Sequence, residues 1–303
     1  MAKYGFGYLG SKSQIADEII AALPSGERFV DLFGGGFAMS HCALLSYKYK
    51  KVLYNDINSL TVQLLKDALA GKYNYAVFKP EWISREEFDK RKYTDGYVKW
   101  CWSFANDGNG YIYGNDVVDL KHAGHDFCVY GTPIPGLDFQ VETTDIKQRR
   151  LALCNYVKKS TGFRSPLTEI ESLERIERLE LQNLESLERL QNLEITNMDY
   201  REYKYQAGDV VYCDIPYQNG SNAGQDYDGG FDAGAFYAWA VSRPYPVYFS
   251  SYKLGGILWE RDKLQIRSGS SNSKVRREVV YCVNDDFEEP KKYFQGNLFE
   301  RLM

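Results

Sequence analysis

The sequence predicts an α/β protein whose single sheet is interrupted by an insertion. Three observations carry this: helix and strand signals alternate from residue 11 to 70, a glycine turn directly follows the first strand signal, and the alternation resumes after residue 193. Ser13 to Leu23 has the apolar spacing of a helix, and Arg28 to Leu32 reads as a short buried strand. The turn Asp31-Leu-Phe33-Gly34-Gly35-Gly36-Phe37 comes next, then a helix from about Met39 to Tyr47, a strand Lys51–Asn55 and a helix from Ser59. Residues 72–165 are rich in Tyr, Trp, Gly and Asn, contain Pro133 and Pro135 and show no clear period, as expected of a separate or inserted subdomain. Beyond 193 a strand at Val210–Cys213, a helix around Ala233–Val241, and strands at Val247–Ser250 and Glu278–Val283 complete the sheet. The expected boundaries are a core of 1–71 and 193–303, an insertion of 72–165 and a repeat spacer of 166–192.

Composition excludes several classes. With 303 residues, 44% of them hydrophobic and 26% charged, the chain has enough apolar mass for a sizeable core. No apolar run reaches the ~18–20 residues of a membrane span, and the stretch Ile15–Leu23 is broken by Asp17 and Glu18, unlike a signal peptide. The 6 cysteines are scattered without a C-x-x-C, so the expectation is a reduced cytoplasmic protein with neither a disulfide framework nor a cysteine-rich zinc site. Net charge is −4, yet residues 166–200 alone sum to −6, leaving +2 for the rest. That acidic segment is also the one internal repeat. Leucines and isoleucines recur mostly every third residue from Leu167 to Leu193, which fits either a helix leading into a strand near Leu193–Thr196 or a small leucine-rich solenoid turn. On both readings the segment is a spacer with its glutamates on a solvated face.

The residues that carry chemistry sit at strand ends. Gly5-Phe-Gly7-Tyr8-Leu-Gly10 has the letters of a dinucleotide fingerprint but too few residues before it for a strand. The turn after Arg28–Leu32 is the better candidate, because open α/β sheets bind ligands at the carboxyl ends of their strands and glycines let the backbone approach closely. Asp56, at the end of the next strand, is positioned to accept the ribose hydroxyls of an adenosine-containing cofactor; an ordinary tight turn with a surface acid, or a nicotinamide site, would read the same way. Val210 to Cys213 delivers Asp214-Ile215-Pro216-Tyr217, an acid, a carbonyl fixed ahead of proline, and an aromatic ring. An exocyclic base amine has two N–H groups and a π face, which these three groups suit. His122, His125 and Asp126 lack a further ligand, so no metal site is expected, and His41 in its apolar helix reads as a packed core histidine.

In these motifs the chain resembles the phage and bacterial Dam-type DNA adenine-N6 methyltransferases. Tyr8-Leu-Gly10-Ser-Lys12 resembles the family's N-terminal cofactor motif, Asp31 to Gly36 (with Phe33 and Gly34) its glycine turn, Asp56 its ribose acid, and Asp214 to Tyr217 its aspartate-proline-proline-tyrosine tetrad, with Ile215 in place of the first proline. Asp199 and Tyr200 fall where the family places residues beside the cofactor's adenine. The resemblance implies a Rossmann-like methyltransferase core with an inserted target-recognition subdomain, S-adenosylmethionine as cofactor, and double-stranded DNA as partner of a monomer or weak dimer. It also implies a bacterial or phage-infected cell and, in a restriction-modification setting, a separate endonuclease.

The expected reaction is in-line methyl transfer to the N6 amine of a flipped adenine, with Asp214 and the Ile215 carbonyl accepting the amine hydrogens. Asn106, Asn109 and Tyr111 in the insertion are expected to meet DNA bases, and Lys274, Arg276 and Arg277, in a basic loop with Arg261, Lys263 and Arg267, to meet phosphates. Cytosine N4, RNA, a protein glutamine amide, and a catalytically decayed DNA-binding decoy remain as alternatives.

Overall fold

The computed structural model describes residues 3–161, 165–181, 188–216, 230–252, 259–266 and 276–284. It divides into two compact units: Met1–Gly5, Ser11–Val62 and Leu184–Met303 form the first, and Phe6–Gly10 with Gln63–Asn183 the second.

The first unit is a seven-stranded sheet of order β3-β2-β1-β4-β5-β7-β6. Its strands are β1 (Arg28–Asp31), β2 (Lys51–Asn55), β3 (Leu193–Thr196), β4 (Asp209–Cys213), β5 (Val247–Tyr252), β6 (Trp259–Ile266) and β7 (Arg276–Val283). β3, β2, β1, β4 and β5 run parallel, and β7 inserts antiparallel between β5 and β6. Strand order reverses direction at the β1–β4 pair, the switch point where open α/β sheets bind ligands. This is a Rossmann-like α/β fold.

Helices α1 (Ala16–Ala22) and α2 (Ala38–Leu45) lie at β1, and α3 (Ser59–Leu69) follows β2. α1 begins three residues later than its apolar spacing predicts. The Ser13 hydroxyl accepts the Tyr4 N–H at 2.8 Å and Lys12 pairs with Asp214, so residues 11–15 stay in turns. Every residue of β1 is buried, including Arg28. Its guanidinium meets Asp209 at the start of β4 through two hydrogen bonds of 2.8 and 2.9 Å, and Tyr203 donates to the same carboxylate. The sheet's interior is a cluster of Val30, Leu32, Val211, Cys213, Ile215, Phe236, Val247, Phe249 and Tyr281, with α9 (Ala233–Val241) packed on it.

The charged strand β6 was not expected. Trp259-Glu-Arg-Asp-Lys-Leu-Gln-Ile266 lies at the sheet edge, where charged residues are common. The basic segment is correspondingly not a single loop: Arg261 and Lys263 belong to β6, and Arg276 and Arg277 open β7, while Lys274 and Arg267 lie outside the described residues.

The second unit holds α4 (Arg85–Arg91), α5 (Gly96–Cys101), α6 (Val118–Tyr130), α7 (Ile146–Thr161) and α8 (Glu171–Glu177). α5 is buried along its whole length, which erases any amphipathic period in the sequence. The first part of the leucine repeat is core rather than spacer: Leu167, Ile170, Leu173, Ile176, Leu179 and Leu181 are buried, whereas Leu190 and Leu193 are half-buried. The step from Ile176 to Leu179 has a physical reason. After α8 the backbone bonds three residues back, Arg178 to Arg175 and Leu179 to Ile176, and i, i+3 side chains eclipse in that geometry. Nor are the glutamates merely solvated: Glu174 and Glu177 pair with Arg150 of α7 at 3.2 and 2.7 Å, and Glu171 with Lys121 of α6 at 2.9 Å.

Arg28→Met is expected to destabilise the protein by roughly 3–5 kcal/mol, because Asp209 is left buried without its cation. Urea unfolding monitored by far-UV circular dichroism measures it, and a loss near zero would show that the pair carries no such weight.

Candidate active site

The carboxyl ends of β1, β2 and β4 bring three acids into one electrostatic cluster. Asp31 ends β1, Asp56 follows β2, and Asp214 follows β4. Asp214 is ion-paired with Lys12, whose Nζ lies 2.6 Å from Oδ1 and 2.9 Å from Oδ2; Lys12 itself is buried. Ser250 of β5 donates to Oδ1 of Asp214 at 3.1 Å, and the Ser250 and Tyr212 hydroxyls are 2.7 Å apart. Lys12, expected beside the cofactor, thus contacts the acid of the tetrad directly. Ser250 and Tyr212 carry no motif signal, and only the β4–β5 pairing reveals them.

The glycine turn is built without room for side chains. A Cβ on Gly34 would collide with the ring of Tyr54, and one on Gly5 with the Gly36 carbonyl. Tyr54 donates its hydroxyl to the Gly35 carbonyl at 2.8 Å, the Gly34 N–H bonds the Asn55 carbonyl at 2.8 Å, and the Gly35 N–H bonds Asp56 Oδ2 at 2.8 Å. Phe37 leaves the turn with φ 68°, an uncommon left-handed conformation for a bulky residue, and its ring stacks on His41 at 5.4 Å. Asn55 ties the strand ends together by donating to the Leu32 and Met198 carbonyls and accepting from Met198 N–H and the Thr196 hydroxyl.

Burial sets the protonation of these acids. It pushes the Asp31 carboxyl up to about 7, against the Ser40 hydroxyl that donates to Oδ2 at 2.7 Å, with Asp214 and Asp56 adding to the rise. Asp31 Oδ1 is buried with no hydrogen-bond partner. Burial also raises Asp56 to about 6, although its two oxygens accept the Gly35 and Asn58 N–H groups.

Beside the turn, half-buried Phe33 lies 5.2 Å from the ring of Tyr200, which meets Trp239 edge-on at 4.9 Å. Asp199 caps the turn that carries Tyr200 and pairs with Arg201 at 2.5 Å, which holds its carboxyl below the ordinary range. Ile215 is buried in the core cluster, Pro216 is half-buried, and Tyr217 lies outside the described residues.

Tyr8, Asn106, Asn109 and Tyr111 belong to the second unit. There Tyr8 packs on Trp100, with ring centroids 4.6 Å apart. Two of the expected base contacts are occupied by the unit's own structure. Tyr111 is buried with its hydroxyl donated to the Ile83 carbonyl at 2.7 Å, and the Asn106 amide donates to the Trp100 carbonyl at 2.7 Å. Asn109 is exposed, as is Phe104, which sequence reasoning did not single out. Both stand on a loop closed by the Ser103–Tyr111 bridge, with positive φ at Ala105, Asn106 and Gly108. His122 and His125 contact Asp126 at 3.4 and 3.2 Å; among the described residues no group of three or more His, Cys, Asp or Glu is arranged to hold a metal ion. Nor is any described helix long and apolar enough to cross a membrane.

Gly34→Ala is expected to abolish ligand binding at the turn or prevent folding, since the Tyr54 ring has no space to retreat; near-normal Tm with near-normal binding would refute the packing argument. The imidazole of His41 accepts the Gly5 N–H at 3.1 Å through Nδ1, and burial lowers it to about 4. Its contribution is therefore complete above 6.5, its ordinary value, and lost as pH falls towards 4. His41→Gln, which keeps an acceptor, should lose less Tm between pH 7 and pH 5 than the wild type does in differential scanning fluorimetry.

The sequence model of the D12 class N6 adenine-specific DNA methyltransferases matches residues 8–109. That span contains Lys12, the glycine turn, Asp56 and the Phe104–Asn109 loop, while Asp214 lies outside it. No curated protein matches the chain significantly. The match falls on the β1 and β2 ends where the structure builds its site, and over this third of its length the chain is similar to the D12 class N6 adenine-specific DNA methyltransferases.

Proposed function

We propose that the protein transfers the methyl group of S-adenosylmethionine to the N6 amine of an adenine turned out of a specific double-stranded DNA sequence. The observation that carries this reading is Asp214, fixed between Lys12 and Ser250 at the carboxyl end of β4, one strand from the glycine turn.

The residues suit the cofactor. The Gly34–Gly36 turn is packed too closely to accept a side chain at Gly34, and Asp31 Oδ1 is a buried acceptor without a donor. Asp31 and the turn would hold the amino-acid end, Asp56 the ribose, and Phe33 with Tyr200 the adenine. The cofactor supplies a methyl group activated by its sulfonium charge.

The chain's own contribution is orientation and electrostatics. The lone pair of an aromatic amine is delocalised into the ring, which makes it a poor nucleophile. Asp214 and the Ile215 carbonyl would accept its two hydrogens, favouring a pyramidal nitrogen whose lone pair points at the methyl group. Positive charge then develops on that nitrogen, next to a carboxylate already oriented by Lys12 and Ser250. A base amine that must reach a strand end has to leave the duplex, and the exposed Phe104 and Asn109 are the described aromatic and amide groups offered to DNA by the recognition loop.

Asp214→Asn is expected to lower single-turnover methylation of duplex DNA at least about 10²–10³-fold while changing the Kd for S-adenosylmethionine only a few-fold. Radiolabelled transfer and calorimetric titration measure the two quantities. Retained turnover, or preferred transfer to single-stranded RNA or protein, would overturn the proposal.

A further inference from the structure

The three acids at the sheet's carboxyl end are not equally served. Asp214 has the Lys12 ammonium, and both oxygens of Asp56 accept backbone N–H groups. Asp31 is more deeply buried, at 1% exposure, yet it receives one side-chain hydrogen bond, from Ser40, and its Oδ1 faces no donor. Among the described residues neither Asp31 nor Asp56 makes an ion pair.

The ionisable surroundings of Asp31 are Asp56 from β2, Asp214 and the buried Cys213 thiol from β4, and Lys12, already paired, from the segment before α1. Two neighbouring carboxylates and burial all oppose its charge, and only the Ser40 hydroxyl and backbone favour it. A buried carboxylate without a counter-ion neutralises itself by taking a proton. A cation entering the site reverses that balance.

We infer that Asp31 is a proton-linked receptor for a cationic group of the methyl donor: its carboxyl is protonated in the empty site and releases the proton to solvent as the cofactor's positive charge arrives. The inference rests on the cofactor assignment above. It adds a role for Asp31 that hydrogen bonding alone would not give, since the residue then favours charged over uncharged occupants. Charge is conserved: one proton leaves for each cation bound, and the carboxylate remains as counter-ion. Two cationic groups of the donor qualify, the sulfonium and the amino-acid ammonium, and S-adenosylhomocysteine separates them because it keeps only the second.

Isothermal titration of the full chain with S-adenosylmethionine and with S-adenosylhomocysteine, each in two buffers of different ionisation enthalpy, counts the protons released. Between pH 5.5 and 7.5 the wild type is expected to release close to one proton per S-adenosylmethionine at the acid end and progressively less as pH passes 7. Release confined to S-adenosylmethionine assigns the sulfonium, and equal release with both ligands assigns the ammonium. Asp31→Asn should abolish the release and flatten the pH dependence of Kd. Ser40→Ala removes the one side-chain hydrogen bond that favours the charged form, so its half-release point should move to higher pH; this variant guards against a misfolded Asp31→Asn. Binding without proton release, release that persists in Asp31→Asn, or an unmoved Ser40→Ala midpoint overturns the inference and leaves the cofactor assignment standing. Failure of the wild type to bind either ligand overturns the assignment itself.

Discussion

The controlling constraint in this molecule is the concentration of carboxylates at the end of a sheet that excludes water. An acid there has three options: an ion pair, donated hydrogen bonds or a proton. Asp214 has the first through Lys12, Asp56 the second through the turn backbone, and Asp31 is left nearest the third. Their unequal treatment follows from chain geometry. Lys12 precedes α1 and reaches Asp214 after β4, whereas Asp56 accepts the Gly35 N–H from the turn after β1 and the Asn58 N–H from its own turn after β2.

The opposite end of the sheet shows what the same chemistry looks like when it serves stability. Arg28 and Asp209 are joined by two parallel hydrogen bonds across β1 and β4, with Tyr203 completing the carboxylate's partners. Nothing in that pair is left unsatisfied, as expected of a structural ion pair that must offset its own desolvation. The carboxyl end keeps an orphaned oxygen, raised carboxyls and a left-handed Phe37 instead. Buried carboxyls raised together at the ends of adjacent strands are a physical signature of a ligand site.

Much of this was legible in the sequence, and the limits have physical causes. β2 and α9 fall on their expected residues because each has a local signal, the strand a short apolar run and the helix an Asp232 cap. The glycine turn, Asp56 and Asp214 were readable because strand ends impose residue types. β6 was not, since an edge strand tolerates the charges that otherwise signal a loop. The helices of 85–161 were hidden because burial on several sides removes periodicity, as in α5. Asn106 and Tyr111 looked like base readers because an amide and a phenol advertise hydrogen bonds, but sequence does not say whether those bonds are made inward. Ser250 and Tyr212 were invisible for the converse reason: common residues are joined to Asp214 only through a pairing between strands far apart in sequence.

The substitution of isoleucine for proline at position 215 is best understood from packing. The side chain of Ile215 is buried among Val247, Phe249 and Cys213, so the residue is anchored to the core on its apolar side. Pro216 restricts it to extended backbone from the other side. Asp214, one residue earlier, is held by Lys12 and Ser250. The carbonyl of Ile215 thus lies on a backbone constrained before it, at it and after it, and its direction is set without the ring that a proline would contribute. What the proposed chemistry would require at this position is an acceptor of fixed direction, and the core supplies the fixing.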